Sequence, residues 1–354
     1  MAGAIKGHGA LSNPPGRFEK LTQTFEHDGW YEEEPAAKLE TVVLPEPARS
    51  IISRNDSPDI GFSKSINPYR GCSHACVYCF SRPSHAYLGL SPGRDFETRL
   101  FYKADAARLL EAELAAPSYK CSTIMLGANT DPYQPLEKSQ MVTRSVLEVL
   151  VRCKHPVTIT TKGALVVRDL DLLAELARDG LTRVMFSIPT LNNELKRILE
   201  PRAAAATAKL KAMRVLAEAG IPVGVLVAPV IPVLTEHELE RVLEASREAG
   251  ASHAGYTMLR LPYEVKDLFR EWLAEHFPER AAHVMSAVRG MRGGRDNDPN
   301  FGTRMHATGP VAQLIRQRFQ LACRRLGFPL DRQYELPTHL FKPPGRTHEQ
   351  LSLI

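Results

Sequence analysis

Val157-Thr-Ile-Thr-Thr161, Asp169-Leu-Asp-Leu-Leu-Ala-Glu-Leu-Ala-Arg178 and Arg183-Val-Met-Phe-Ser-Ile188 decide the fold class. The first and third are β-branched, apolar runs of strand length. The second sets leucines at 170, 173 and 176, with Leu172 beside them, on one helical face suited to packing on a sheet. Gly180 follows, where a left-handed residue after a helix is favoured. Strand, amphipathic helix and strand within roughly 30 residues is the signature of a parallel βα unit.

The rhythm extends in both directions. Strands are predicted over Ile60–Ile66, Ser122–Leu126, Val157–Thr161, Arg183–Ile188, Val223–Val230 and His253–Arg260. The helical patterns that follow them are Ala104–Ala116, Ser139–Arg152, Asp169–Arg178, Ala203–Ala219, Thr235–Ala249 and Tyr263–His276. Gly220 and Gly250 repeat the stop signal of Gly180, and Thr235 with Glu238 reads as a capping box. Six right-handed units predict the α/β class, as a partial (β/α)6 TIM-type barrel with an N-terminal arm and a C-terminal helical extension. The expected organisation is a partly extended arm over 1–59, the barrel core over 60–276 and a basic extension over 277–354. That extension opens with the glycine-rich loop Gly290–Gly302 and carries a helix over Pro310–Leu326.

Composition narrows the class. The 354 residues are 44% hydrophobic and 24% charged, with a mean hydropathy of −0.22, which excludes collagen-like, largely disordered and multi-span membrane chains. The longest apolar stretch, Ile221–Leu234, is broken by three prolines and is shorter than the roughly 20 residues of a bilayer span. Met1–Ser12 has no signal-peptide apolar run, so the reading places the chain in a reducing cytoplasm. The formal net charge of +5 is unevenly spread: residues 289–354 hold 11 basic against 5 acidic side chains, residues 1–60 hold 6 against 10.

The strongest chemical signal is Cys72-Ser-His-Ala-Cys76-Val-Tyr-Cys79, immediately after the first predicted strand. Loops at the C-terminal ends of parallel barrel strands carry the chemistry, so three thiolates there open into the barrel mouth. Three cysteines can hold three irons of a 4Fe-4S cluster and leave the fourth iron open to a ligand. Two other readings of the same residues are a zinc knuckle completed by His74 or His85, and three buried thiols. Cys121, Cys153 and Cys323 read as small buried hydrophobes.

C-x3-C-x-aromatic-C after the first strand of a six-unit pattern resembles the radical S-adenosylmethionine (SAM) superfamily, and within it the spore photoproduct lyase group. The segments carrying the second resemblance are Asn129-Thr-Asp-Pro-Tyr-Gln-Pro135, Thr160-Thr-Lys162, Phe186-Ser-Ile-Pro189, Glu200-Pro-Arg202 and Val227-Ala-Pro-Val-Ile-Pro232. The resemblance implies a cluster on Cys72, Cys76 and Cys79, with SAM chelated at the open iron. Reductive cleavage of SAM then gives methionine and a 5′-deoxyadenosyl radical that takes hydrogen from substrate.

It also assigns Tyr78 a place near adenine, Lys162 as cationic partner of the SAM carboxylate, and Thr130 and Ser187 as hydroxyl contacts to the cofactor. Asp131 and Arg202 join that set. From the residues alone, Lys162 reads equally as a snorkelling rim lysine, Thr130 and Ser187 as caps, Asp131 as an Asx-turn and Arg202 as a surface arginine. Two departures stand out. The lyase group has a hydrogen-donating cysteine and a tyrosine where this chain has Ala128 and Phe80, and Leu126-Gly-Ala-Asn-Thr-Asp131 replaces the superfamily's Gly-Gly-Glu turn.

The substrate expected from the resemblance and from the basic extension is a nucleic-acid base, with Arg304 and His306 as substrate contacts on the closing loop. Competing readings are the same chemistry on a protein, peptide or small metabolite, and a non-catalytic iron–sulfur or zinc module. The expected partner is a reducing electron donor of flavodoxin or ferredoxin type. His8, Trp30 and Tyr31 are candidates to cover the barrel mouth.

Overall fold

The computed structural model describes residues 5–19, 40–302, 304–305, 307–330 and 335–345. Its strands are β1 (Val42–Pro45), β2 (Ile52–Arg54), β3 (Lys64–Ile66), β4 (Tyr69–Arg70), β5 (Arg99–Tyr102), β6 (Ile124–Leu126), β7 (Val157–Thr161), β8 (Thr182–Ser187), β9 (Val223–Val230) and β10 (His253–Met258). The main sheet runs β10-β9-β8-β7-β6-β3-β2. Its first six strands are parallel and follow one another in chain order, and only β2 is antiparallel, on β3. The sheet stays open between β10 and β2, so the architecture is the partial (β/α)6 barrel the sequence predicts.

Helices α1 (Asp95–Thr98), α2 (Ala106–Leu114), α3 (Glu137–Gln140), α4 (Val142–Arg152), α5 (Leu170–Arg178), α6 (Asn193–Leu199), α7 (Ala206–Glu218), α8 (Leu239–Glu248), α9 (Val265–His276), α10 (Pro278–Gly290) and α11 (Gly309–Leu326) complete the chain. Leu173 and Leu176 of α5 are buried, as their stripe requires. Gly180, Gly220 and Gly250 take φ of +68°, +77° and +94° just past α5, α7 and α8.

Alternation along the strands defines two faces. Val157, Ile159 and Thr161 of β7 are buried, whereas Thr158 and Thr160 are half-buried, and β8 and β9 show the same contrast at Arg183, Met185, Leu226 and Ala228. The buried face lies under the helices. The other lines the concave side, which remains accessible instead of being filled like a closed barrel. Gly224 and Gly255 keep that side open: a Cβ would come within 2.6 Å of Met185 Sδ at the first and 2.8 Å of Leu226 Cδ2 at the second.

Several local expectations are corrected. Only Lys64–Ile66 of the first predicted strand pairs, because past Asn55 the side chain takes over from the backbone, Asn55 Nδ2 donating to Phe62 O at 3.0 Å and its Oδ1 accepting from Ser57 N at 3.1 Å. The Thr235–Glu238 capping box does not form. Thr235 Oγ1 accepts instead from Ile231 N at 2.8 Å, and Glu238 binds the Thr190 hydroxyl and, at 2.8 Å, Leu191 N. A second sheet, β1-β5-β4, lies outside the predicted pattern. In the basic extension, Arg318 and Arg325 of α11 pair with Glu240 and Glu244 of α8, which uses part of its charge for packing.

Near the opposite end of β7 from the cysteine loop, His155 is fully buried. Its Nε2 accepts from the Tyr119 hydroxyl at 2.7 Å, its Nδ1 donates to Pro156 O at 3.0 Å, and the Phe341 ring meets it edge-on at 5.2 Å. Burial pushes its pKa down to about 4, with Lys64 adding to the effect and the Pro156 carbonyl opposing it. A histidine depressed in the fold is neutral there and protonated in the unfolded chain between about pH 4 and 6.5. Its stabilisation is therefore complete above pH 6.5 and is lost as pH falls toward 4. On the order of 3 kcal/mol is at stake. Urea unfolding at pH 7 and pH 5 is expected to show this loss, and His155→Gln to flatten the slope.

Candidate functional site

The cysteine loop starts from β4 through Gly71, whose φ of +72° turns the chain where a Cβ would come within 2.9 Å of Phe96 O. Cys72 N donates to Phe96 O at 2.9 Å, and Val77 N to Leu199 O at 3.2 Å. A buried arginine holds the loop from beneath. Arg82 donates to Cys76 O at 2.9 Å, Gly93 O at 2.8 Å and Pro92 O at 3.2 Å, and pairs with the equally buried Glu97. Glu97 in turn accepts from His8 Nδ1 at 3.0 Å, Gly9 N at 3.2 Å and Ala10 N at 2.9 Å. The N-terminal segment thus lies on the loop, so closely that a Cβ at Gly9 would sit 2.0 Å from Ala75 O.

All six cysteines are free. The thiols of the loop act on one another electrostatically, Cys72 and Cys79 on Cys76, and Cys72 on Cys79. Burial raises the Cys76 thiol well above its ordinary value, and the Glu200 charge adds to it. A bound cation would reverse that penalty by holding the thiolates. Among the described residues no three His, Cys, Asp or Glu side chains are gathered for a single ion. In a cubane each thiolate instead takes its own iron corner, a wider arrangement. Of the two histidines considered as a zinc ligand, His85 holds Arg99 O through Nε2 at 2.9 Å and His74 Nδ1 lies 3.4 Å from the Asp131 carboxylate, while neither Nδ1 makes a hydrogen bond among the described residues.

Around the loop stand the side chains singled out in the sequence. Asp131 is half-buried and forms the Asx-turn, accepting from Tyr133 N at 2.8 Å, but it also accepts from the Thr161 hydroxyl at 2.7 Å and Lys162 N at 2.6 Å. It joins the ends of β6 and β7. Burial works against its charge, but His74 outweighs this and holds the carboxylate below its usual range. Thr130 Oγ1 donates to Tyr69 O at 2.8 Å, and Ser187 Oγ to Ala228 O at 2.9 Å. Lys162 Nζ reaches Ser187 Oγ at 2.5 Å and Glu200 at 3.0 Å. Tyr78 is buried, its hydroxyl donating to Glu200 and its ring centroid 5.6 Å from Lys162 Nζ.

Glu200, with Lys209, is the pair that sequence reasoning missed. Lys209 Nζ lies 3.2 Å from Glu200 and donates to Ser187 O at 2.9 Å. Burial alone would raise the Glu200 pKa, but Lys162 and Lys209 bring it down to about 2. The Glu200-Pro-Arg202 segment flagged the first residue, whereas a lysine inside an alanine-rich helix gave no signal.

Two expected site residues lie elsewhere. Arg202 donates to Gly7 O at 2.8 Å and His8 Nε2 at 2.9 Å, so its guanidinium holds the N-terminal segment. Arg304 is drawn to Asp59 at 2.6 Å and the Ser57 hydroxyl at 2.8 Å, with Phe301 stacked 4.3 Å from it, and does not stand open to substrate. His306, Trp30 and Tyr31 lie outside the described residues.

Known proteins resemble this arrangement in sequence and fold. An uncharacterised protein of Mycobacterium tuberculosis is 39% identical over 230 residues, covering 64% of this chain and 68% of that protein. One from Methanocaldococcus jannaschii is 27% identical over 173 residues, covering 49% and 62%. A spore photoproduct lyase mutant solved with bound AdoMet and dinucleoside spore photoproduct superposes with a TM-score of 0.57 at 16% identity, covering 80% of this chain and 79% of that one. That likeness is one of fold. The family description "Radical SAM superfamily" matches residues 66–245, the cysteine loop and the parallel strands through α8. The chain belongs to the radical SAM superfamily, whose enzymes work with a 4Fe-4S cluster and S-adenosylmethionine.

Proposed function

We propose that Cys72, Cys76 and Cys79 each hold one iron of a 4Fe-4S cluster, and that this radical SAM enzyme acts on a nucleic-acid base. The observation that carries the first half is the placement of three free thiols in one loop beside a half-buried lysine and two hydroxyls at the ends of parallel strands. When bound and reduced, cluster and SAM supply a 5′-deoxyadenosyl radical that takes hydrogen from substrate. Lys162 carries the positive charge for the SAM carboxylate, which shares it with Glu200. Thr130 and Ser187 supply hydroxyls, Asp131 holds the β6 and β7 ends in register beneath them, and Tyr78 offers its ring. Arg202 acts at one remove, by keeping Gly7 and His8 on the loop.

The nucleic-acid half is supported by an aromatic cluster. Phe18, Tyr87 and Tyr263 are 55%, 70% and 63% exposed and surround the Arg17 guanidinium at 4.8, 5.2 and 4.4 Å. Tyr87 belongs to the turn after Cys79, and Tyr263 to the loop after β10. Exposed rings near a reactive mouth are where unpaired bases stack. With no S–H or O–H at Ala128 and Phe80, the hydrogen-return route of the lyase group has no counterpart at those positions, so the reaction ends differently. The electron comes from a flavodoxin- or ferredoxin-type donor in a reducing cytoplasm.

The test is anaerobic reconstitution with iron and sulfide, reduction, addition of SAM and quantification of 5′-deoxyadenosine. Lys162→Met is expected to keep its iron and raise the KM for SAM by about tenfold or more, the value of one charged hydrogen bond. Unchanged KM would remove Lys162 from the cofactor site. For the substrate, a labelled single-stranded oligonucleotide is expected to bind at low ionic strength; no binding there would discard the nucleic-acid half.

A further inference from the structure

Beyond β10 the chain continues to track β9, with Leu259 N donating to Val230 O at 3.0 Å, and the next residue is Arg260. Arg292 and Arg304 lie near enough to act on the Arg260 charge. Arg292 donates to Leu259 O at 3.0 Å and to Arg304 O at 2.9 Å, and Arg304 pairs with Asp59. Arg260 is treated differently. Its Nη1 donates to Met305 Sδ at 2.9 Å, a weak acceptor, and its Nε is buried without a hydrogen-bond partner. Burial first, then Arg304 and Arg292, push Arg260 down to about 10, and Asp59 and Asp298 oppose this only through space. Among the described residues, Arg260, Arg292 and Arg304 stand against Asp59 and Asp298 in this half-buried corner.

We propose that Arg260, backed by Arg292, binds a phosphoryl group of the substrate at the C-terminal end of the last barrel strand. A guanidinium offers a planar fork that fits phosphate oxygens two at a time, a better acceptor than the thioether it now meets. The anion would give Arg260 a charged acceptor where it now has a thioether and an unpartnered Nε. The proposal rests on the nucleic-acid reading for the carrier of that group, while the anion site stands on the arginines themselves.

Two measurements separate the two ideas. In potassium phosphate, compared with potassium chloride at matched ionic strength, the wild-type protein is expected to unfold at a higher temperature, and Arg260→Gln to lose that difference. Affinity for a single-stranded 12-mer is expected to fall about tenfold in Arg260→Gln, and the slope of log K against log salt to shrink by about 0.7. Arg260→Lys is expected to restore the slope but not the full affinity. Arg316→Gln, on the exposed side of α11, is expected to change neither. Phosphate stabilisation confined to wild type without oligonucleotide binding would support the anion site and discard the nucleic-acid carrier. Oligonucleotide binding with the same affinity and slope in Arg260→Gln would overturn the anion site and leave the nucleic-acid reading intact, as would equal phosphate stabilisation of both proteins.

Discussion

Cys79→Ala, reconstituted anaerobically beside wild type, is expected to lose the charge-transfer absorbance of a 4Fe-4S cluster and to make no 5′-deoxyadenosine above the protein-free background. The proposed set of three protein ligands and one open iron leaves no spare thiolate in the loop, and Cys121, Cys153 and Cys323 sit at other ends of the fold. The substitution leaves the scaffold in place. Cys79 is held through its backbone, its N donating to Cys76 O at 3.3 Å and its carbonyl accepting from Arg82 N at 3.2 Å. Beneath it the Arg82–Glu97 pair does not involve the thiol. The iron-free variant is therefore expected to unfold in urea within about 1 kcal/mol of iron-free wild type, since only one small sulfur is removed. Full activity in the variant would end the ligand assignment, and zinc in the wild-type protein after aerobic purification, with no iron uptake, would replace it by a zinc site.

The barrel was legible because its information is local. A period of two against a period of 3.6, with glycines at 180, 220 and 250, marks parallel units without knowledge of what packs on what. The cysteine spacing is equally local. What stayed hidden depends on partners far along the chain. Arg202 and Arg304 both look like anion partners in their own segments, but their guanidinium groups are taken by Gly7 and His8, and by Asp59. The capping box at Thr235 has the right residues at the right spacing, but Glu238 gains more from a buried hydroxyl and an otherwise unpaired N–H on the neighbouring βα loop. The β1-β5-β4 sheet was missed because strands of two to four residues carry too few alternations to register. Glu97 and Arg82 illustrate the same limit at the site, since nothing within 15 residues says that they will face each other at zero exposure.

Glu200→Ala is expected to destabilise the protein by about 3–5 kcal/mol, among the largest effects of any substitution outside the hydrophobic core. Glu200 has no exposed surface, and its carboxylate serves Lys162 at 3.0 Å, Lys209 at 3.2 Å and the Tyr78 hydroxyl. Lys162 is 18% exposed and can turn toward water or a ligand, but Lys209 is 1% exposed and cannot. Burial already holds Lys209 below its ordinary value despite Glu200, so removing the carboxylate leaves an ammonium with, among the described residues, only the Ser187 carbonyl for company. The cost therefore lies in the orphaned charge more than in the lost pair, and this gives a sharp test. Lys209→Met fills similar volume without charge, so Glu200→Ala with Lys209→Met is expected to recover at least about 2 kcal/mol relative to Glu200→Ala alone. Strictly additive losses in urea would show that the two side chains do not share a charge. The pH dependence carries the matching signature. Glu200 is depressed to about 2, so its contribution is complete above the ordinary glutamate value and is lost as pH falls from there toward 2. The double variant is expected to lack that acid limb, because it has neither the carboxylate to protonate nor the lysine that holds it ionised.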